Sequence, residues 1–410
     1  MFKQVARCRI CRGEDLWEFL DLGDQPPSNA LLRAEDLAAP EPRYPLRVAT
    51  CRTCELAQLT HVVAPEILFQ QNYVYHSSVS AAMTRHFAAL AAEVARRFVP
   101  AGGLVVELGS NDGILLRSLL GQDLRVLGID PASNLAAKAT ESGVPTLPAF
   151  FTRELAVKVR SEHGPASAMH ANNVFAHIDD LHDVMRGVDA LLADEGAFVI
   201  EAPYLVDLLQ HGEFDTIYHE HVSYFGVRPF THLFEQYGFE VFEVQRQPVH
   251  GGTIRVFGGR RGAHPVHASV AELLDLERTL GVARPETLAA FARKVAALRV
   301  SLRGLVANLR AQGKRVVGYT APAKGNVLLN YCGLGPSELD YLADATPAKQ
   351  GMYSPGVRIP IRSPEHFHED RPDYALLLAW NHRAEVLAKE SAFREAGGKF
   401  ILPLPQLEIV

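Results

Sequence analysis

Two C-x-x-C pairs near the amino terminus, a strand, glycine-rich turn and helix from residue 103 onward, and a second strand-turn-helix rhythm after residue 315 predict an α/β protein in three parts. These parts are a small zinc-binding lobe over residues 1–70, a central Rossmann-like domain over 71–258 and a second Rossmann-like α/β domain over 259–410. A chain of 410 residues, 48% apolar and 21% charged, has the composition of a globular protein and the length for two or three domains. Its net charge of -6 and the lack of any basic run longer than Arg260-Arg261 argue against nucleic acid as a partner. No stretch is apolar for long enough to span a membrane. Residues 1–7 lack the apolar run of a signal peptide, so a cytoplasmic location is expected, and the protein is expected to be a monomer.

In the first part, four of the five cysteines fall as Cys8-Arg9-Ile10-Cys11 and Cys51-Arg52-Thr53-Cys54. In a reducing compartment two such knuckles point to one Zn2+ held tetrahedrally by Cys8, Cys11, Cys51 and Cys54; redox pairs and free thiols are the other readings. Four thiolates leave no open position, so the metal is expected to be structural. The lobe is rich in turn residues (Gln25-Pro26-Pro27-Ser28-Asn29) and too poor in apolar ones to build a sizeable core, so the metal would staple it. Cys332, the fifth, reads as a small core residue.

The second part opens with an amphipathic helix, roughly residues 80–98, followed by Gly103-Leu104-Val105-Val106-Glu107-Leu108-Gly109-Ser110-Asn111-Asp112-Gly113. Strand, glycine turn and helix form the first unit of a doubly wound sheet. The turn reads E-x-G-x-x-x-G rather than G-x-G-x-x-G, so a dinucleotide pyrophosphate is not the expected ligand. A second strand, residues 125–130, ends on Asp130, where a carboxylate can accept from ribose hydroxyls. Such a pocket suits S-adenosylmethionine, with Glu107, Gly109 and Asn111 near its amino-acid portion and Asp130 on the ribose. The strand beginning at Ala168 ends in polar residues at its ligand-facing end, where Asn172 or Asn173 would also hold the cofactor and His177 would face the cleft. A further strand over residues 196–204 leads toward the run Phe214-Asp215-Thr216-Ile217-Tyr218-His219-Glu220-His221-Val222-Ser223-Tyr224-Phe225.

That run crowds two His, a Glu and two Tyr together, and such crowding perturbs pKa values in the way general acid–base chemistry requires. A polar loop with ordinary hydrogen bonds is the plain alternative for any one of these residues. A catalytic zinc site is disfavoured, because His219 and His221 are not the i, i+4 pair of a zinc protease.

The third part follows a helical stretch rich in Ala, Leu and Arg. A strand over residues 315–319, a Gly/Ala-rich turn, a helix over 326–332 and later strands over 341–344 and 374–380 form the second Rossmann-like unit. Its turn places Lys324 and backbone N–H groups where an anion would sit, although a solvated Lys324 fits as well. Residues 349–351, and His250 with Arg255, are further candidates for a diphosphate; the latter pair would equally suit a tight turn beside a strand.

Taken in order, these motifs resemble the nucleotide-sugar C-methyltransferases of deoxysugar biosynthesis, the family that methylates C3 of a dTDP-linked 4-keto hexose to give a branched-chain sugar. The matching stretches span nearly the whole chain: the paired knuckles with Leu22-Gly23 and Pro27-Ser28-Asn29-Ala30, then Asn72-Tyr73-Val74-Tyr75-His76-Ser77-Ser78, residues 107–113, residues 172–177, residues 214–225, residues 250–255, and Gly318-Tyr319-Thr320-Ala321-Pro322-Ala323-Lys324-Gly325-Asn326. Thr320 departs from the family's usual Gly, which leaves sugar or nucleotide identity open, and Phe225-Gly226 replaces a more usual Phe-Ser.

The resemblance implies S-adenosylmethionine as cofactor and a nucleotide sugar as substrate. It also implies a base that deprotonates the carbon beside a ketone, with donors for the developing enolate oxygen. His221 is then the base, Glu220 tunes a nearby imidazole, Tyr218 and either Tyr75 or Tyr73 donate to the C4 oxygen, and His177 serves a proton relay. Lys324, His250 and Arg255 are left for the substrate. Two alternatives stand beside this reading: methylation of another carbon or of a non-sugar carbon acid, and a non-enzymatic zinc-ribbon adaptor, in which an acid–base cluster would have no role.

Overall fold

The computed structural model describes residues 2–69, 81–249 and 251–410. Tyr73, Tyr75 and His250 lie outside them.

The amino-terminal lobe holds β1 (Phe2–Gln4), β2 (Leu16–Gln25), β3 (Tyr44–Cys51), β4 (Ala57–Leu59) and β5 (His61–Val63). Strands β2, β3 and β4 form an antiparallel sheet, and β1 pairs with β5. The central part supplies β6 (Leu104–Leu108), β7 (Arg125–Ile129), β8 (Thr146–Leu147), β9 (Ala166–Asn172) and β10 (Leu192–Pro203). The short β11 (Ser223–Tyr224) follows, then β12 (Phe239–Gln247) and β13 (Thr253–Arg260). The seven-stranded central sheet runs β8-β7-β6-β9-β10-β13-β12, and β13 is antiparallel to both of its neighbours. Strand order reverses at β6 and β9, which opens a crevice at their carboxyl ends.

All five residues of β6 are buried, as a strand covered on both faces requires. The helix Ala81–Phe98 turns Met83, Phe87, Leu90, Ala91 and Val94 toward one face of this sheet, where they meet Val105, Ala168, Val199 and Phe257. The helices Arg153–His163 and Leu181–Leu191 cover the other face, in an apolar core that continues into the zinc lobe and the carboxyl-terminal domain.

After the helices Ala268–Leu280 and Pro285–Ala311 come β14 (Val316–Tyr319), β15 (Leu342–Ala343), β16 (Ile361–Arg362), β17 (Tyr374–Leu377), β18 (Lys399–Leu402) and β19 (Glu408–Ile409). They form a second sheet in the order β16-β15-β14-β17-β18-β19, parallel except for β19. The helix after β14 begins at Ala323 rather than at Asn326, directly behind Pro322, whose fixed φ suits a helix start. Strand β17 ends at Leu377, and Trp380 leaves the sheet in a 3-10 turn.

The two Rossmann-like units close their first turn in the same way. Asp130 accepts from the N–H of Asn111 through Oδ2 and from that of Ala132 through Oδ1, each at 2.8 Å. Asp344 accepts from Ala321 through Oδ2 at 2.6 Å and from Thr346 through Oδ1 at 2.8 Å. Both turns carry a left-handed residue that is not glycine: Asn111 at φ 51° and Thr320 at φ 69°. At Thr320, where the family usually has Gly, the hydroxyl accepts from the Ala379 N–H at 3.0 Å, a bond glycine lacks.

Candidate active site

The segment following the 3-10 turn Phe214–Thr216 leaves the central sheet and joins the lobe. Its strand β11 pairs with β4, and the Leu59 N–H donates to the Val222 carbonyl at 3.0 Å. The lobe's edge strand is thereby capped, and residues just before β11 are held by a sheet other than the one carrying the cofactor turn. Within this mostly buried run, Tyr218 and His221 stay partly exposed, as does His177 on the 3-10 turn Phe175–His177. The Val222 N–H donates to the Ala176 carbonyl at 2.8 Å and draws the two segments together.

His221 has a defined tautomer. Its Nδ1 lies 2.8 Å from the Thr216 carbonyl, which can only accept, so Nδ1 carries the hydrogen. In the neutral ring Nε2 then presents a lone pair, 2.9 Å from the Tyr218 hydroxyl, which donates to it. The Tyr218 and His221 rings lie 4.1 Å apart between centroids, and the His177 ring meets His221 edge-on at 4.7 Å. Burial pushes the His177 imidazole down to about 4, so it is neutral at physiological pH.

The two histidines flanking Glu220 have different surroundings. His219 is buried, is pushed down to about 4 by that burial, and donates through Nε2 to the Tyr44 carbonyl at 3.1 Å, which ties the run to the lobe. The Glu220 carboxylate accepts from the Asn29 amide at 2.6 Å, while the His221 ring nitrogens are taken by Thr216 and Tyr218. Asn29 had no assigned role in the sequence reading beyond its place in Pro27-Ser28-Asn29-Ala30. Ser28, next to it, accepts through its carbonyl from Asn326 of the carboxyl-terminal turn at 2.7 Å. The Gly226 position, another departure from the family pattern, also has a reason. A Cβ there would lie 2.9 Å from the Glu277 carboxylate, which caps the Val227 N–H at 2.6 Å.

At the crevice, Glu107, one residue before the end of β6, accepts from Asn172 of β9 at 3.1 Å. Burial pushes the Glu107 carboxyl up to about 8. Its Oε2 and the Asn172 Oδ1 are buried without a hydrogen-bond partner, a pair whose chemistry fits the amino-acid end of S-adenosylmethionine. Gly109, at φ 62°, sits so close to Val174 that a Cβ would approach it to 2.5 Å. Both Asp130 oxygens already serve the turn, so a ribose contact would use their remaining lone pairs.

On the opposite side the Lys324 ammonium lies 4.6 Å over the Trp380 ring and its Nζ is buried. Arg255 lies on β13 of the central sheet, opposite Glu201 of β10. Its buried guanidinium is held by Glu201, at 3.0 and 3.1 Å, and Glu201 also takes His86 at 2.8 Å. A diphosphate role for Arg255 would break a buried ion pair, a costly loss.

The four cysteine sulfurs of the lobe lie within 4.8 Å of one another, with Cys8 3.4 Å from Cys54 and Cys11 3.3 Å from Cys51. A regular Zn–thiolate tetrahedron needs S···S separations of about 3.8 Å, so small relaxations admit the ion. The two knuckles share a backbone turn: the Arg12 N–H donates to Cys8 and the Glu55 N–H to Cys51, and both donors are left-handed, at φ 62° and 66°.

Three family models match in succession: a zinc binding domain over residues 8–69, a methyltransferase domain over 83–244 and a C-methyltransferase C-terminal domain over 248–405. The C-methyltransferase NovU of Streptomyces niveus is 43% identical over 410 residues, covering 100% of this chain and 97% of that protein. Among solved structures, a magnesium protoporphyrin IX methyltransferase from Synechocystis with bound SAH is 13% identical, covers 44% of this chain and 88% of its own, and has a TM-score of 0.35. A complex of the Haloferax volcanii Trm112 methyltransferase activator with a methyltransferase is 16% identical, covers 43% and 92%, and also has a TM-score of 0.35. No helix among the described residues is long and apolar enough to cross a membrane. The full-length identity to NovU, with the knuckles and the glycine turn in their expected places, makes this chain a member of the SAM-dependent C-methyltransferase family.

Proposed function

We propose that the enzyme methylates C3 of a dTDP-linked 4-keto-deoxyhexose by way of an enolate. The observation that carries this reading is the His221 tautomer, with the Nε2 lone pair facing a phenol that can donate. In the resting protein the Tyr218 hydroxyl occupies that lone pair. A substrate carbon entering the cleft takes its place, and the hydroxyl turns to the C4 oxygen. His221 Nε2 then accepts the C3 proton, and the electron pair of the broken C–H bond moves into the enolate, whose oxygen Tyr218 stabilises. S-adenosylmethionine, when bound, would supply the electrophilic methyl group, its S–CH3 bond breaking as the C3–CH3 bond forms and S-adenosylhomocysteine leaving with the electron pair. His177, neutral beside His221, passes the proton onward. Glu107, Gly109, Asn111 and Asn172 hold the cofactor, and the turn bearing Lys324 receives the diphosphate.

Incubation with S-adenosylmethionine and a panel of dTDP-4-keto sugars, read by product mass and NMR, tests the proposal. A methyl group at C3 of one of them is the expected result. Turnover only on another carbon, or on a carbon acid that is not a sugar, would replace the substrate assignment while keeping the chemistry.

A further inference from the structure

In the second Rossmann-like sheet the strand order reverses between β14 and β17, so its ligand crevice lies at the carboxyl ends of those two strands. Lys324 stands in the first turn of the helix Ala323–Cys332 behind β14, and Trp380 in the 3-10 turn behind β17. The Lys324 Nζ lies 4.6 Å from the centre of the Trp380 ring. Asp215 of the central domain reaches the same indole: it is wholly buried, and its Oδ2 accepts from the indole N–H at 2.7 Å. One indole thus carries an ammonium over its face and a carboxylate at its edge.

Neither charge is satisfied. Asp215 Oδ1 and Lys324 Nζ are both buried without a hydrogen-bond partner, and each is costly to bury in that state. A phosphate would suit the ammonium but would meet the carboxylate as a like charge. A hydroxyl suits both, since it donates its hydrogen to Oδ1 and accepts from Nζ through its oxygen. The pair also falls at a definite place along the substrate. Asp215 directly precedes Thr216, whose carbonyl holds the His221 Nδ1 at 2.8 Å, while Lys324 lies on the turn assigned above to the diphosphate. The base addresses C3 and the diphosphate is attached at C1, so C2 is the ring carbon between them.

We propose that Asp215 and Lys324 together bind the C2 hydroxyl of the sugar, so that the substrate keeps this hydroxyl and is not a 2-deoxy sugar. The backbone N–H groups of the turn are left for the diphosphate. In a 2-deoxy sugar a methylene would lie against both charged groups and leave each unpaired, and a site built to bind a hydroxyl rejects such an analogue strongly. The inference rests on the reading of the enzyme as a C3-methyltransferase of nucleotide sugars and adds the substituent at C2.

Calorimetric titration of the full-length protein with dTDP-6-deoxyglucose and dTDP-2,6-dideoxyglucose, which carry no ketone and do not react, isolates the C2 hydroxyl. Wild type should bind the first roughly ten- to hundredfold more tightly, the worth of hydrogen bonds to charged groups. Asp215→Asn keeps an oxygen for the indole N–H but loses the second acceptor, and Lys324→Met keeps a chain over the ring but loses the ammonium. Each should lower that ratio at least about threefold, while S-adenosylmethionine affinity stays within about twofold of wild type. Should Asp215→Asn fail to fold, Lys324→Met carries the test. Equal binding of the two probes by wild type, the result expected if water alone bridges the pair, would overturn the proposal, as would an undiminished ratio in either folded variant. Binding of neither probe by protein that still binds S-adenosylmethionine would sink the nucleotide-sugar reading along with it. Methylation at C3 in the sugar panel alongside equal probe binding would sink this inference alone.

Discussion

Replacing Gly109 with alanine should damage the cofactor turn more than any surface change nearby. At φ 62° an L side chain costs about 1–2 kcal/mol. The added Cβ would lie 2.5 Å from Val174 Cγ2 and 2.7 Å from its Cβ, and relieving such a clash costs a further ~1–3 kcal/mol. Together these amount to about 2–5 kcal/mol. The strain should fall on binding as well as stability, because Val174 follows directly on Asn172 and Asn173 and Asn172 holds Glu107 at 3.1 Å. Even 2 kcal/mol expressed in affinity is roughly thirtyfold. Calorimetric titration with S-adenosylmethionine and urea unfolding without it would apportion the loss. A second change, Val174→Ala, removes the 2.5 Å clash but not the 2.7 Å contact, so it should recover part of the loss and none of the left-handed cost. Stability and affinity of Gly109→Ala both within about 0.5 kcal/mol of wild type would show that the turn is looser than its geometry.

Three more outcomes are expected. Cys51→Ser should lose one equivalent of zinc by elemental analysis and lower methyl transfer more than S-adenosylmethionine affinity, because β11 ties the lobe to the base segment; equal losses would refute that route. Glu107, raised from 4.5 to about 8 by burial, binds its proton more tightly in the folded protein, so its contribution is complete below the unfolded value and is lost as pH rises through about 8. The unfolding free energy of the cofactor-free enzyme, from urea titrations, should therefore fall across that window by on the order of a few kcal/mol, and Glu107→Gln should flatten the decline. His221→Asn should abolish both methyl transfer and solvent deuterium exchange at the substrate's C3, a loss of roughly two to four powers of ten or more, whereas Tyr218→Phe should slow both less. Normal exchange in the Asn variant would move the base role to His177.

What the sequence made legible was local. The C-x-x-C pairs, the E-x-G turn and the carboxylate at the tip of the second strand each need only a few consecutive residues, and the structure carries all of them. Resemblance to a family supplied the roles proposed for His221 and Tyr218, and the structure adds the His221 tautomer. What escaped was made by distant partners. Asn29 meets Glu220 across 191 positions and Trp380 meets Asp215 across 165, separations at which no periodicity or spacing signals a contact. The tie of His219 to the Tyr44 carbonyl of the lobe was hidden for the same reason. Arg255 was a candidate for a diphosphate or for a tight turn, and its partner Glu201 was not visible because it comes from the neighbouring strand β10.

The stitching of β11 into the lobe's sheet has a consequence for how such an enzyme diversifies. In the mechanism proposed above the methyl donor would lie at the central sheet and the proton acceptor beside the lobe's sheet, so their relative placement would depend in part on how one sheet packs on the other. Regiochemistry in this architecture is then a matter of relative placement: a few contact residues that slide the lobe would bring a different carbon under the same imidazole, with the turn and the base left as they are.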